Sequence, residues 1–184
     1  MRTVSLIAAL AAVLVSAVTW AAETSGPDKG SAPMLMIKPF NQDGDAYCVT
    51  CQAGLDPLVV AFVTKNDEAA QKLLSALAEE AKSAADRHLH ADIVVLGGGT
   101  EADALTAWIK DQKLPVAAAC VAADDKSLEP WKINGQVANT VVLFKGHKVE
   151  ASFADLAAGD LAGQVKTIVG DGGGGGGMPG MPGM

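Results

Sequence analysis

Aromatic residues make up only 4% of the 184-residue sequence. That scarcity excludes a base-stacking platform for single-stranded nucleic acid. Basic charge is short as well. Fourteen Lys and Arg face 21 Asp and Glu, giving a net charge of −7 and a pI of about 4.8. Nucleic acid and anionic membrane surfaces both call for basic patches, so neither is expected as a partner. Three cysteines and three histidines are too few for a multi-site metalloprotein. No apolar run reaches the roughly 20 residues needed to span a bilayer, because the longest, Val4 to Val18, has about 15.

What is present divides the chain into four parts. A basic Met-Arg-Thr start, the apolar run and the small residues Ala21 and Ala22 form a secretory signal peptide, with cleavage expected after Ala21. Residues 1–21 are thus a removable signal, and the remaining chain is expected in a periplasmic or extracellular space without stable membrane insertion. Residues 22–33 are rich in Gly, Pro and Ser and read as a linker. Residues 34–170 form the expected domain. Residues 171–184 read as a disordered tail, because the glycine run Gly172 to Gly177 is entropically costly to order. The tail ends in Met178, Met181 and Met184 at one spacing. Soft thioethers suit Cu(I), so weak copper handling is one reading of that spacing.

The middle alternates between two periodicities. Leu58–Thr64, Ile93–Leu96 and Thr140–Phe144 are continuous, β-branched apolar runs, the pattern of strands covered on both faces. Pro115–Val121 reads as a further strand, and Lys148–Phe153 as the return of a hairpin. Between them Ala70, Leu73, Leu74, Leu77 and Ala81 mark one face of a helix capped by Asn66. A second helix is predicted over 101–113, with Thr100 and Asp103 as a capping box and Leu105, Trp108 and Ile109 inward. A third is predicted from a cap at Asp160. The order predicts an α/β sandwich, with a mixed central sheet of about five strands flanked by helices.

The stretch Trp131–Val149, WKINGQVANTVVLFKGHKV, carries an aromatic-x-Ile turn, a loop, a Thr opening a strand, and a hairpin ending in Gly-x-Lys-Val. Before it, LPVAAACVAADDKSLEPW reads as an inserted strand and an acidic turn. Together these resemble the thioredoxin-like superfamily, in its redoxin and peroxiredoxin-type branch, over about residues 55–170. The resemblance implies a thioredoxin-like sandwich and thiol chemistry on protein thiols or disulfides. Two positions depart from the family pattern. The family places its cysteines after the first core strand, where this chain has Thr64-Lys65-Asn66-Asp67. It also places a cis-proline before the Thr, where this chain has Asn139. Peroxidase chemistry is therefore unsupported, and an ordinary trans turn is expected at Asn139.

The chain's CxxC, Cys48-Val49-Thr50-Cys51, stands ahead of the first core strand. Such spacing suits a local disulfide, a redox couple or half of a zinc site. Gln52 excludes haem attachment, which needs His there. Cys120, His88, His90 and His147 have no metal-site spacing to the pair, so no metal and no dissociable cofactor are expected. Loop-closure entropy for about four residues is worth only ~2 kcal/mol, which makes the bridge a weak staple and favours redox use. Against activation, no Lys or Arg lies between Gly44 and Val63, while Asp43, Asp45 and Asp56 oppose a thiolate. The pair is expected at the opposite sheet edge from the family's usual site. Cys120 is expected as a buried small hydrophobe, with a resolving thiol as the alternative. Gly97-Gly98-Gly99-Thr100 lacks a phosphate-loop lysine and reads as a permissive turn.

Two functions follow. One is an exported thiol–disulfide oxidoreductase in which Cys48 attacks and Cys51 resolves, the roles that ordinary CxxC enzymes imply. The other is a non-catalytic thioredoxin-like module that binds an extracytoplasmic protein and uses the bridge as a clip. Beside them stands weak copper handling by Cys48, Cys51 and the methionine tail.

Overall fold

Five strands form one sheet in the computed structural model, which describes residues 24–170. The readings of a signal peptide over 1–21 and of a glycine–methionine tail over 171–184 lie outside those residues. Two short strands come first, β1 (Met36–Ile37) and β2 (Tyr47–Cys48), paired antiparallel. A single-turn helix, α1 (Val49–Ala53), leads into the central strand β3 (Leu58–Val63). Then follow α2 (Glu68–Ser83), β4 (His90–Leu96), α3 (Thr100–Gln112) and β5 (Ala117–Val121). A 3-10 turn over Lys126–Trp131 precedes the hairpin β6 (Asn139–Lys145) and β7 (Lys148–Ala154), and α4 (Ala158–Val169) closes the fold.

The sheet order is β5-β4-β3-β6-β7. The two parallel steps, β3 to β4 and β4 to β5, are crossed by helices, as parallel connections require. β6 returns antiparallel to β3, and β7 to β6. The β6–β7 turn uses Gly146 (φ 58°) and His147 (φ 66°), the positive pair that matches strand twist in a tight hairpin.

All six β3 residues are buried, which explains the unbroken apolar run. Alternate residues feed two cores. Val59, Ala61 and Val63 meet α2, α3 and α4 through Leu73, Leu77, Leu105 and Leu161. Leu58, Val60 and Phe62 meet the opposite layer, built from Leu35, Ile37, Val49 and Trp131. Trp131 is fully buried against Phe62 and Phe144, with ring centroids 5.0 and 5.6 Å away. Its indole N–H donates to the Met34 carbonyl at 3.2 Å, tying the amino-terminal segment to that core.

The helix starts shift by a residue or lose their expected caps. Asp67, not Asn66, caps α2, its Oδ1 accepting from the Ala70 N–H at 2.8 Å. Asn66 instead accepts from the Gln71 side chain. Gly99 starts α3 without a side-chain cap, so Thr100 is already helical and no capping box forms. α4 begins after Ala157, which leaves Asp160 in its first turn.

The segment read as a linker is packed over residues 24–33. Gly30 N–H donates to the Val149 carbonyl and Val149 N–H to the Ser31 carbonyl, so the segment lies along the outer side of β7. Ser25 is buried, its hydroxyl 2.6 Å from that of Thr140. Ion pairs join Lys29 to Glu150 and Asp28 to Lys132. Polar composition misled here, because the segment's hydrogen bonds go to strand backbone that composition does not reveal. On the far side of the sheet, residues 40–42 cover β5. Phe40 N–H donates to the Ala118 carbonyl, while the Asn41 amide accepts from Ala118 N–H and donates to the Val116 carbonyl.

Candidate functional site

Cys48 and Cys51 are joined as a disulfide across the start of α1. The short helix forms because Cys48 is its extended N-cap, with the sulfur accepting from the Cys51 N–H at 3.3 Å. Gly54, at φ 61°, ends it after one turn. Val49 and Ala53 point into the Trp131 core and fix the helix against the sheet. Val49 N–H donates to the Leu35 carbonyl, and the Thr50 hydroxyl to the Pro33 carbonyl. Cys48 is half-buried and Cys51 is exposed.

The pair sits at the far side of the sheet from the family's usual place, as expected, at the other end of β3. β3 is the middle strand, and α1 runs through Gly54–Pro57 into its first residue. The displacement from the family's usual place therefore runs along β3, from Thr64 to the end at Leu58, roughly 20 Å for six residues. At the usual place there is no thiol. The Thr64 hydroxyl donates to the Val137 carbonyl, and Asp67 caps α2. Asn139 is buried in a clasp with Leu156, accepting from its N–H at 3.0 Å and donating to its carbonyl at 3.4 Å. Asp155 accepts from the Ala138 N–H. The Ala138–Asn139 peptide is trans, as are all peptides among the described residues.

Beside α1 lies a cavity of about 580 Å³ at the amino-terminal ends of β4 and β5. Tyr47, Val49 and Gln52 form its wall on the disulfide side. Asp92, on β4, opens into it while only 5% exposed. Burial pushes the Asp92 carboxyl up to about 6, partly offset by the Tyr47 hydroxyl that donates to it and by nearby His90. Tyr47 is itself driven well above the usual phenol value, by burial first and by the Asp92 contact second. Sequence reading missed Asp92, which sits as an isolated acid in an apolar strand (HADIVVL). An acid inside such a run is the signal that marks it.

Cys120 is exposed, not buried, with its sulfur 3.1 Å from the Thr106 hydroxyl. β5 is an edge strand, and Cys120 stays exposed there although its sulfur lies beside α3. It is not joined to the Cys48–Cys51 pair. His88 ends a 3-10 turn in a left-handed conformation, and His90 faces Asp56 at 3.6 Å. No group of three or more His, Cys, Asp or Glu is placed to hold a metal among the described residues. No described helix is long and apolar enough to cross a membrane.

No family model and no curated protein matches the sequence. Solved structures do. The thioredoxin domain of a thiol-disulfide oxidoreductase from Bacteroides vulgatus superposes with a TM-score of 0.62 at 19% identity, covering 77% of this chain and 98% of that one. A thiol:disulfide interchange protein from Chlorobium tepidum gives 0.62 at 13% identity, covering 78% and 98%. A secreted disulfide oxidoreductase from Mycobacterium tuberculosis gives 0.57 at 12% identity, covering 73% and 96%. The five-stranded mixed sheet, its helices and these superpositions establish a thioredoxin-like fold, here carrying a disulfide-bonded CxxC pair at the opposite end of the central strand from the usual one.

Proposed function

We propose that this chain is an exported thiol–disulfide oxidoreductase acting through Cys48 and Cys51 on protein thiols or disulfides. The observation that carries the reading is the surface disulfide wrapped around the start of α1, with the Cys51 N–H aimed at the Cys48 sulfur. That N–H stabilises negative charge on Cys48, which a nucleophilic thiolate requires. In the reduced form the Cys48 thiolate attacks a substrate disulfide and expels one substrate thiolate. Cys51 then attacks the mixed disulfide, releases the second substrate thiol and leaves Cys48 joined to Cys51. A dithiol donor restores the reduced pair. The structural neighbours include a secreted oxidoreductase, which supports an extracytoplasmic setting.

A second reading, a binding module clipped by a structural bridge, is favoured by the displacement of the pair from the family's usual site. The equilibrium reduction potential separates the two. A value between about −270 and −120 mV, with insulin reduction lost in Cys48→Ser, supports the enzyme. A value well below about −300 mV marks a structural bridge and rejects it. The roles are assigned by trapping, with Cys51→Ser expected to accumulate a mixed disulfide on Cys48.

A further inference from the structure

Only three large apolar side chains stand strongly exposed among the described residues: Met34 at 68%, Met36 at 59% and Leu55 at 77%. Two of them are thioethers, on β1 and on the stretch just before it, beside the disulfide. Residues 34–37 alternate, with Leu35 and Ile37 buried at 1% and 2%, so Met34 and Met36 stand together on the outer face. The β1–β2 register sets Met36 directly across from Cys48. Side chains so placed have Cβ atoms about 4.5–5.5 Å apart. The Leu35–Val49 and Pro33–Thr50 hydrogen bonds hold the Met34 stretch against the same turn. Cys51 follows within one turn, its Cα 5.2 Å from that of Cys48.

From this juxtaposition we propose that the reduced Cys48–Cys51 pair, with Met36 and Met34, forms a surface site for one Cu(I) ion. Two thiolates and two thioethers make a uniformly soft donor set, the kind that selects Cu(I) over harder divalent ions. The neighbouring harder donors do not complete a rival site. His90 faces Asp56, and Asp92 is engaged by Tyr47. The chemistry balances without a change of metal oxidation state. A dithiol or phosphine donor gives two electrons to the disulfide, two thiols form, and Cu(I) displaces their protons to solvent. The site goes beyond disulfide exchange, since it needs only that the pair can be reduced.

The test is an anaerobic titration of the phosphine-reduced full chain with Cu(I), in competition with a chromogenic bicinchoninate chelator. One Cu(I) per chain is expected, and none in the Cys48→Ser/Cys51→Ser chain or the oxidised chain. Replacing Met34 and Met36 by Leu keeps apolar surface and removes the thioethers. This exposed pair of substitutions is expected to weaken binding by tenfold or more and to lower the sulfur count in the copper X-ray absorption spectrum. Met178→Leu/Met181→Leu/Met184→Leu is expected to leave affinity unchanged. Equal affinity in the Met34/Met36 variant overturns the proposal, as does loss of binding in the tail variant. A pair that resists the phosphine overturns it too, and is recognised by a thiol count that does not rise. Failure of insulin reduction alongside intact Cu(I) binding would instead reject the oxidoreductase reading alone.

Discussion

Asp92 holds its proton longer in the folded chain than in the unfolded one, because burial raises its carboxyl from 3.8 to about 6. Between about pH 4 and 6 the folded state therefore binds more protons, and stability falls as pH rises through that window, then levels off. The two-unit shift bounds the loss at about 3 kcal/mol. In Asp92→Asn the amide still accepts from Tyr47, and that decline in stability from pH 4 to 6 is expected to disappear in urea titrations. Cys120 offers a second check at this scale. The oxidised chain is expected to take up one equivalent of a maleimide at Cys120 without denaturant. Slow labelling, released only by urea, would contradict the exposed edge position.

Among the elements, the packed segment around Gly26 is the most sensitive to a single atom. Gly26 sits at φ 105°, and an added Cβ would lie 2.4 Å from the Ser152 Cβ. Both the backbone and the contact forbid a side chain there. Gly26→Ala is expected to lower stability by about 1–3 kcal/mol by denaturant titration, with the hairpin's amides losing exchange protection first. The five strands of the main sheet and the three long helices were legible from the sequence, since apolar runs and a 3.6-residue rhythm are written in residue order, whereas β1, β2 and α1 are too short to carry either pattern. The caps were not. Asn66 and Asp67 are both competent, and only the backbone angles choose between them. Cys120 was misread for a related reason. Its apolar neighbours describe the strand, whereas its exposure depends on β5 lying at an edge of the sheet. The CxxC, by contrast, could be placed, because only Gly54–Pro57 separates its helix from the start of β3 and the strand's length carries the usual site to the other end.

For the molecule as a whole, the disulfide is a minor contributor to stability. Closing a loop of about four residues constrains the unfolded chain by only ~2 kcal/mol. Reduction is thus expected to lower the unfolding free energy by about that amount and to leave the far-ultraviolet circular dichroism unchanged. Collapse of the fold on reduction would mean that α1 carries far more of the Trp131 core than its two buried alanine and valine contacts suggest.

The amino-terminal segment also settles how this sheet meets other sheets. Open strand edges are templates for adding a strand from another chain, the route to runaway aggregation. Here one continuous stretch occupies both borders, residues 29–31 along β7 and residues 40–42 along β5. A chain trimmed to begin at Met34 would uncover β7 while keeping β5 shielded. It is expected to scatter light increasingly with concentration, where the full chain stays clear.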